Sequence, residues 1–421
     1  MNLSEYLGHE WVPALGCTEP ASIALAAATA ADHVDGSAVR IRLVCDPRIY
    51  KNCYAVGIPR SEHRTGILWA AAIGASLDDP SLGLECFTAI VPETIAKAQR
   101  LLDADAVEVE VDAARSELYI DCTVWGERGC ARAVIEKRHT NVARIERDGE
   151  LVHEKSPAER SAGIDYRRLA ASMTLDEMIG LADGIGPDER ERLSEGIAMN
   201  MRIAEHGLTL FPERFVDLTA REELTRISVH VCAAVYARMW GEEFAVMTLA
   251  GSGNKGITAS VPMAIWGRDR SLPHGRIEKA LALACLVTSA TTFHLGTLSA
   301  VCGCSNAAGI GLAAGLVMLE GGGAKEMDLA MNNMVGNVTG MICDGAKIGC
   351  ALKTMTAVDA AFRASSLAMS GVGIPASDGI VGASGLESLK NLGRISNQGM
   401  LSADSEILAI MNEKLKGGSG V

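Results

Sequence analysis

Basic residues are scarce in this 421-residue chain: 39 lysines and arginines stand against 52 acidic residues, and the formal net charge is −13. Proteins bind nucleic acids and anionic membranes through clustered positive charge, so neither partner is expected. Aromatic residues make up only 4% of the chain, whereas 48% of the residues are hydrophobic. The core must therefore consist mainly of small aliphatic side chains, and the 44 glycines indicate closely packed helices.

Signatures of several common enzyme classes are also absent. The chain has no P-loop, no GxGxxG after a convincing strand, and no HExxH or paired arrangement among its nine histidines. Nucleotide chemistry and histidine-based metal or triad chemistry are therefore not expected. The first residues, MNLSEYLGHEWVPALG, lack the basic start and apolar core of a signal peptide, which predicts a cytoplasmic protein. In that compartment the 12 cysteines are expected to be core thiols, metal ligands or catalysts rather than disulfides.

One long segment, residues 280–319, contains no Asp, Glu, Lys or Arg. It is long enough to span a bilayer. Polar residues interrupt it repeatedly, including Thr288, His294 and Asn306, and the chain has no second comparable run. We therefore expect a buried helical hairpin and no membrane partner.

The chain is longer than one ordinary core supports, which predicts two domains. Residues 2–35 have helical character, whereas AVRIRLVCD (38–46), VEVEVD, ELYIDCTVW and ARAVIEKR are typical of strands, with a helix at 61–77 between the first two. From Tyr166 onward the pattern is helical. The expected fold class is α+β: a large helical domain of residues 1–36 and 159–421, with a small α+β domain inserted at 37–158.

Four segments concentrate glycine, cysteine and polar residues in apolar surroundings: GCTEP (16–20), GSGNKG (251–256), CGCSNAAGIG (302–311) and MICDGAKIGC (341–350). On a helix, the seven-residue spacing of Cys343 and Cys350 would place both thiols on one face. Together with Cys302 and Cys304 they suit zinc or an iron–sulfur cluster. The absence of C-x₂₋₄-C pairs argues against structural zinc. Packed core cysteines are the alternative.

GSGNKG indicates either a glycine-rich anion-binding turn or an ordinary tight turn. A similar Ser-Gly-Asn loop occurs in pyridoxal-phosphate dehydratases, which need a lysine shortly before the loop. No lysine lies between Lys155 and Lys255, so pyridoxal phosphate is not expected. GCTEP places a thiol at a predicted helix start, where the pKa of Cys17 could be depressed. The alternative is a simple N-cap made by Thr18.

Five motifs occur in order along the chain: GCTEPASIALAAA, KNCYAVGIPR (51–60), GSGNKGI, CGCSNAAGIG and ICDGAKIGCALK. Together they resemble the L-cysteine desulfidase family, which is related to the α-chain of iron–sulfur L-serine dehydratases. The resemblance implies a [4Fe–4S] cluster held by Cys304, Cys343 and Cys350. It also implies conversion of L-cysteine to pyruvate, ammonia and sulfide without pyridoxal phosphate.

The resemblance also implies roles around the cluster. Cys17 becomes the candidate base, or a fourth cluster ligand. The expected substrate-binding residues are Thr18, Glu19, Asn52, Ser252, Asn254 and Lys255. The chain departs from the family in reading KNC and PRS where KNA and PGT are usual, and in having no cysteine after Cys350. Whether Cys302 replaces Cys304 as a ligand stays open.

Two other functions remain compatible with the sequence. The same positional chemistry serves an L-serine dehydratase, because sulfur and oxygen leaving groups occupy the same place. A non-enzymatic metal or redox-sensing protein would use the cysteines but would not need a remote thiol beside a carboxylate, as in GCTEP. A small amino acid is the expected ligand, and a homo-oligomer is compatible with a sequence that does not fix the oligomeric state.

Overall fold

The computed structural model describes residues 1–77, 79–115, 117–156, 164–219, 221–296 and 299–416. The N-terminal segment, predicted to be helical throughout, is divided. Helix α1 spans Leu3–Glu10 and α2 spans Thr18–Ala31, with strand β1 (Pro13–Leu15) between them. Pro13 and Gly16, which has a φ of +72°, break the helix. Strand β1 pairs antiparallel with β8 (Ala245–Met247).

A six-stranded sheet forms the centre of the inserted region. Its strands are β2 (Asp35–Cys45), β3 (Val107–Val111), β4 (Tyr119–Arg128), β5 (Cys130–Glu136), β6 (Val142–Arg147) and β7 (Glu150–Glu154). The order is β3-β2-β4-β5-β6-β7. The β2–β3 pair is parallel and the other neighbours are antiparallel. The four strands predicted from the sequence are confirmed as β2 to β5.

Short helices cover this sheet. They are α3 (Pro47–Cys53), α4 (Gly66–Gly74), a 3₁₀ segment (Pro80–Ala89) and α5 (Pro92–Asp103). Helix α4 begins later than the predicted residue 61, because Arg60, Glu62 and His63 have positive φ and form a turn. Helix α2 lies very close to α4: a Cβ added at Gly74 would be 2.4 Å from the Ala24 carbonyl oxygen.

The remaining chain is helical. Its helices are α6 (Tyr166–Ala171), α7 (Leu175–Asp183), α8 (Pro187–Leu208), α9 (Glu213–Thr219), α10 (Glu223–Trp240), α11 (Gly253–Asp269), α12 (His274–Leu295), α13 (Gly303–Leu319), α14 (Ala324–Val338), α15 (Gly349–Met369), α16 (Gly385–Arg394) and α17 (Leu401–Lys416), with a π-helical turn at Ile395–Gly399. The α+β fold class with a large helical region is confirmed.

Helices α12 and α13 form the predicted hairpin, and most of their side chains are buried. The two helices approach closely, since a Cβ added at Gly311 would lie 2.6 Å from the Ala284 carbonyl oxygen. Within the described ranges, no helix is long and apolar enough to cross a membrane.

The buried apolar residues form two clusters. The first is built mainly from the helices that follow residue 165, with α1 added. The second contains the sheet, α2 to α5 and Met411 of α17. The apolar residues of α2 lie in the second cluster, whereas Cys17, just before α2, belongs to the first. The predicted domain boundary between residues 36 and 37 stays a prediction. Helix α2, however, packs in the same apolar cluster as the sheet.

Candidate active site

One cavity brings together all ten residues that the sequence singles out. Its lining includes Cys17, Thr18, Glu19, Asn52, Ser252, Asn254, Lys255, Cys304, Cys343 and Cys350. Residues before α2, in α3 and after β5 meet residues of the helical region here. Segments far apart in the sequence therefore build one continuous site.

Three long helices begin at this cavity. They are α2, α11 and α13, whose N-cap residues are Cys17, Ser252 and Cys302. The Cys17 and Ser252 side chains make no capping hydrogen bond, whereas the Cys302 thiol is hydrogen-bonded to Ser305 in the first turn of α13. The first N–H groups of a helix lack intrahelical partners and carry partial positive charge. The cavity is therefore suited to anions such as a carboxylate or thiolate-ligated cluster.

The four clustered cysteines reach the cavity from two adjoining loops and from the first turns of α13 and α15. Val301 and Ile342 form an antiparallel bridge. Beside it, the Cys302 N–H donates to Met341 (2.8 Å) and the Cys343 N–H donates to Ala300 (2.7 Å). Cys350 lies in the first turn of α15, and its thiol donates to the Gly345 carbonyl at 3.4 Å.

The prediction that Cys343 and Cys350 lie on one face of a helix is wrong. Helix α15 begins at Gly349, so Cys343 lies in the preceding loop. Gly345 has a φ of +95°, a left-handed conformation that a continuing α-helix does not adopt. The thiols line the same cavity because the loop turns back, not because of helical spacing.

The chemistry of these donors fits an iron–sulfur cluster. Burial raises the pKa of Cys343, partly opposed by the Lys51 ammonium, and burial also raises the pKa of Cys350. The hydrogen bond to Cys304, together with burial, raises the pKa of Cys302. Buried thiols of this kind become thiolates when a metal replaces their protons.

In the part of the chain that the structure describes, no three His, Cys, Asp or Glu side chains are grouped to hold one metal ion. The ligands of a cluster bind different irons and therefore lie farther apart than the ligands of one ion. Cys304, Cys343 and Cys350 are the residues that would hold it.

The GSGNKG segment forms the turn into α11. The Ser252 hydroxyl lies 3.5 Å from the Cys304 sulfur. Lys255 is 5% exposed, and its ammonium donates to the Ala250 carbonyl at 3.2 Å. Burial lowers the pKa of Lys255 to about 8. The lysine is thus part of the cavity wall rather than a solvated loop charge.

Asn254 is directed into the protein. Its Oδ1 accepts a 2.8 Å hydrogen bond from Arg238 Nη1, and its Nδ2 donates to Met239 Sδ at 3.6 Å. Both ends of the amide are therefore committed to the wall of the cavity, which favours a supporting role over direct substrate contact.

Thr18, Glu19 and Asn52 form a local network. The Thr18 hydroxyl donates to Glu19 Oε2 (3.0 Å), and Asn52 Nδ2 donates to Glu19 Oε1 (3.1 Å). The carboxylate is held from two sides. The Glu19 carboxylate is the acidic group among the residues that line the cavity, and it can bind an ammonium group.

Two expectations about the GCTEP segment are wrong. Cys17 is 2% exposed, and burial raises its pKa to about 11, although Arg238 acts in the opposite direction. The expected depression of the Cys17 pKa is therefore not found. Thr18 is not the N-cap residue either, because that position belongs to Cys17 and the Thr18 hydroxyl bonds to Glu19.

Two titratable side chains in the cavity lining were not expected from the sequence. Arg238 is 4% exposed and, besides binding Asn254, donates from Nη2 to the Gly16 carbonyl (2.7 Å). It thus joins the GCTEP and GSGNKG segments. The signal for it was a lone arginine in the apolar end of VCAAVYARMW.

His139, in the turn after β5, is the second. Its Nε2 is buried and has no hydrogen-bond partner among the described residues, and burial lowers the pKa of the ring. An isolated histidine in a polar turn gives no sequence signal of this placement.

Comparison with known proteins agrees with these features. The sequence model for the serine dehydratase α chain matches residues 129–409. A UPF0597 protein of Geobacter sulfurreducens is 37% identical over 414 residues, covering 96% of each chain. UPF0597 proteins of Caldanaerobacter subterraneus subsp. tengcongensis (36%, covering 98% of each chain) and Clostridium botulinum strain Langeland (34%, covering 97% of this chain and 98% of the relative) are also similar. The chain therefore belongs to the serine dehydratase α-chain family.

Proposed function

We propose that this protein is a β-eliminating lyase that converts L-cysteine and water to pyruvate, ammonia and hydrogen sulfide. One observation carries the proposal: five cysteine thiols and the starts of three helices face a single cavity that is also lined by Glu19 and Lys255. Thiols alone would serve a structural metal site. A structural site has no use for an acid and a base-like amine beside them.

Cys304, Cys343 and Cys350 are the proposed ligands of a [4Fe–4S] cluster. When bound, the cluster supplies a Lewis acid for the leaving sulfur of the substrate. Cys302 lies beside Cys304 but is hydrogen-bonded to Ser305 (3.3 Å), which favours a supporting position for its thiol. Pyridoxal phosphate has no part in the proposed reaction.

The charged ends of the substrate have complementary partners. The carboxylate is proposed to bind at the start of α11, where Ser252 supplies a hydroxyl, the backbone supplies N–H groups and Lys255 supplies positive charge. The α-ammonium is proposed to bind Glu19, which Thr18 and Asn52 hold in position. This arrangement fixes the α-carbon between the two groups.

The α-proton needs an acceptor. Cys17, at the start of α2, is the proposed acceptor in its thiolate form. Burial disfavours that form and raises the pKa to about 11, whereas Arg238 and the positive end of the helix favour it, so only a small fraction of Cys17 is ready to accept the proton near pH 7. Lys255 is the competing acceptor, because a pKa of about 8 leaves part of the amine neutral near pH 7. Removal of the proton and departure of the β-substituent give aminoacrylate, which water hydrolyses to pyruvate and ammonia.

The test is an anaerobic assay of reconstituted protein with L-cysteine and with L-serine, scoring sulfide, ammonia and pyruvate. We expect equal amounts of all three products from L-cysteine, and loss of activity in air, because a reactive iron that substrate can reach is also open to oxidants. A brown protein without turnover of either amino acid would contradict the lyase. Turnover of L-serine far above that of L-cysteine would overturn the proposed substrate.

A further inference from the structure

A buried lysine joins the C-terminal helix to the wall of the cavity. The Lys51 side chain in α3 is 1% exposed, and its ammonium contacts the carboxylate of Asp404 in α17, itself 17% exposed. The two residues are 353 positions apart in the chain. An ammonium so far from water needs this carboxylate, because removing one partner of a buried pair leaves an uncompensated charge.

The backbone of Lys51 supports the loop that carries Cys343. A Cβ added at Gly345 would lie 2.0 Å from the Lys51 carbonyl oxygen, so the loop and α3 touch main chain to main chain. Asn52, the next residue of α3, lines the cavity with Cys343 and Gly345. A displacement of α3 at Lys51 would therefore reach both Asn52 and the Cys343 loop.

Helix α17 is seated by few other interactions near this point. Ile407, Leu408 and Met411 pack against the second apolar cluster. Upstream, Asn397 Nδ2 donates to the His294 carbonyl at 2.7 Å, at the end of α12 beside the cavity. The segment from Asn397 to Met411 thus connects the end of α12 with α3, and Asp404 is its charged contact with α3.

We propose that Lys51 and Asp404 are positioning residues: their ion pair seats α17 on α3 and thereby holds Asn52 and the Cys343 loop in place. The inference deepens the proposed function, since it assumes that the cavity is the reacting site. Lys51 is not among the residues that line the cavity, so the pair acts mainly through the backbone that it supports, in addition to the charge that the Lys51 ammonium presents to Cys343. The conformation of residues 341–350 should therefore depend on the carboxylate of Asp404 in α17.

Asp404→Asn in the full-length, reconstituted protein tests the proposal. Glu406→Gln is the matched control, because it removes an exposed carboxylate two residues along the same helix. Hydrogen exchange is followed at residues 341–350 and, as an internal reference, in strand β4. In Asp404→Asn we expect exchange at 341–350 to be about tenfold faster than in the control, with β4 unchanged. The kcat should fall by about tenfold or more, with KM within about threefold of wild type. Asp404→Glu should give intermediate values.

Exchange at 341–350 equal to that of Glu406→Gln would overturn the proposal, as would an equal rise in β4, which would indicate general destabilisation. If Asp404→Asn does not accumulate in folded form, Asp404→Glu carries the same test, and wild-type exchange in it would overturn the proposal. If the wild-type protein turns over neither L-cysteine nor L-serine, the proposed function fails, but the exchange measurement still decides whether the pair holds the loop.

Discussion

The three proposed ligand thiols occupy three different backbone settings. Cys304 lies in the first turn of α13, Cys343 in a loop and Cys350 in the first turn of α15. In a [4Fe–4S] cluster each proposed ligand would bind a different iron, so none would substitute for another. We expect Cys304→Ala, Cys343→Ala and Cys350→Ala each to lose iron and acid-labile sulfide, measured after anaerobic reconstitution.

Cys302→Ala is the control for this series, because its thiol lines the same cavity. It should retain its iron. If Cys302→Ala empties the site while Cys304→Ala does not, the ligand in the CGC segment is two residues earlier than proposed.

The role of Cys17 can be separated from that of the ligands. Cys17→Ser should retain the cluster, because three other thiols hold it, while kcat falls by about 10²–10⁴-fold, as is typical when a general base is removed. Cys122→Ser, which alters a buried thiol of β4 outside the cavity, should keep its turnover. Loss of iron in Cys17→Ser would make Cys17 a fourth ligand, and normal turnover would make it a core thiol.

The buried ammonium of Lys255 should lower the free energy of unfolding below pH 8. Its pKa in the folded protein is about 8, below the value near 10.4 of an unfolded lysine. Between these values the unfolded chain binds more protons, so stability rises with pH. Lys255→Met is therefore expected to raise the free energy of unfolding at pH 7 by about 2–3 kcal/mol, and by much less at pH 10.

Urea unfolding at the two pH values measures this effect. Lys325→Met, at an exposed position, should change the free energy of unfolding by less than about 0.5 kcal/mol at both. A gain for Lys255→Met that does not depend on pH would show that the ammonium is not the cause.

At the scale of elements, local patterns predicted some structures well and others poorly. The α12–α13 hairpin followed from an uncharged run interrupted by small polar residues, a pattern that depends little on tertiary context. The supposed helix from Cys343 to Cys350 failed because the periodicity of two cysteines carries no information about the φ of Gly345. The break between α1 and α2 was missed although Pro13 and Gly16 marked it.

The start of α11 depends on a glycine. A Cβ added at Gly256 would lie 1.9 Å from the Met247 carbonyl oxygen of β8, and backbone cannot move aside as a flexible side chain can. Gly256→Ala should therefore push the GSGNKG turn away from the cavity and lower the free energy of unfolding by about 2 kcal/mol or more.

The matched control is Gly8→Ala in α1, where an added Cβ meets nothing within 4 Å. This change should raise the free energy of unfolding by up to about 1 kcal/mol, because alanine favours the helix. Thermal unfolding of both variants gives the comparison. Equal effects would mean that the approach to Met247 is not limiting.

At the scale of the whole molecule, the two apolar clusters bear on the proposed domain organisation. Because the apolar face of α2 packs in the cluster of the sheet, a fragment of residues 37–158 would lack part of its core. We expect that fragment to show no cooperative urea transition, whereas residues 16–158 should show one. The reverse result, followed by far-UV circular dichroism, would support a boundary at residue 37.

The membership of the candidate site was more predictable than its internal geometry. Short motifs of glycine, cysteine and polar residues identified ten residues that now line one cavity. The burial that raises the pKa of Cys17, the inward direction of Asn254 and the presence of His139 depend on neighbours from distant segments. No pattern within a single segment carries that information, and Arg238 was marked only by its unusual position in an apolar helix.

The three helix starts at the cavity also have a consequence for mutational scanning. The N–H groups that make the cavity attractive to anions belong to the main chain, and replacing Cys17, Ser252 or Cys302 leaves them in place. Alanine scanning will therefore report on chemistry and on cluster assembly, yet it will understate how strongly small oxyanions are held. A variant stripped of every cysteine in the cavity should still concentrate carboxylates there, so a relative that lost the reaction could persist as a binding protein.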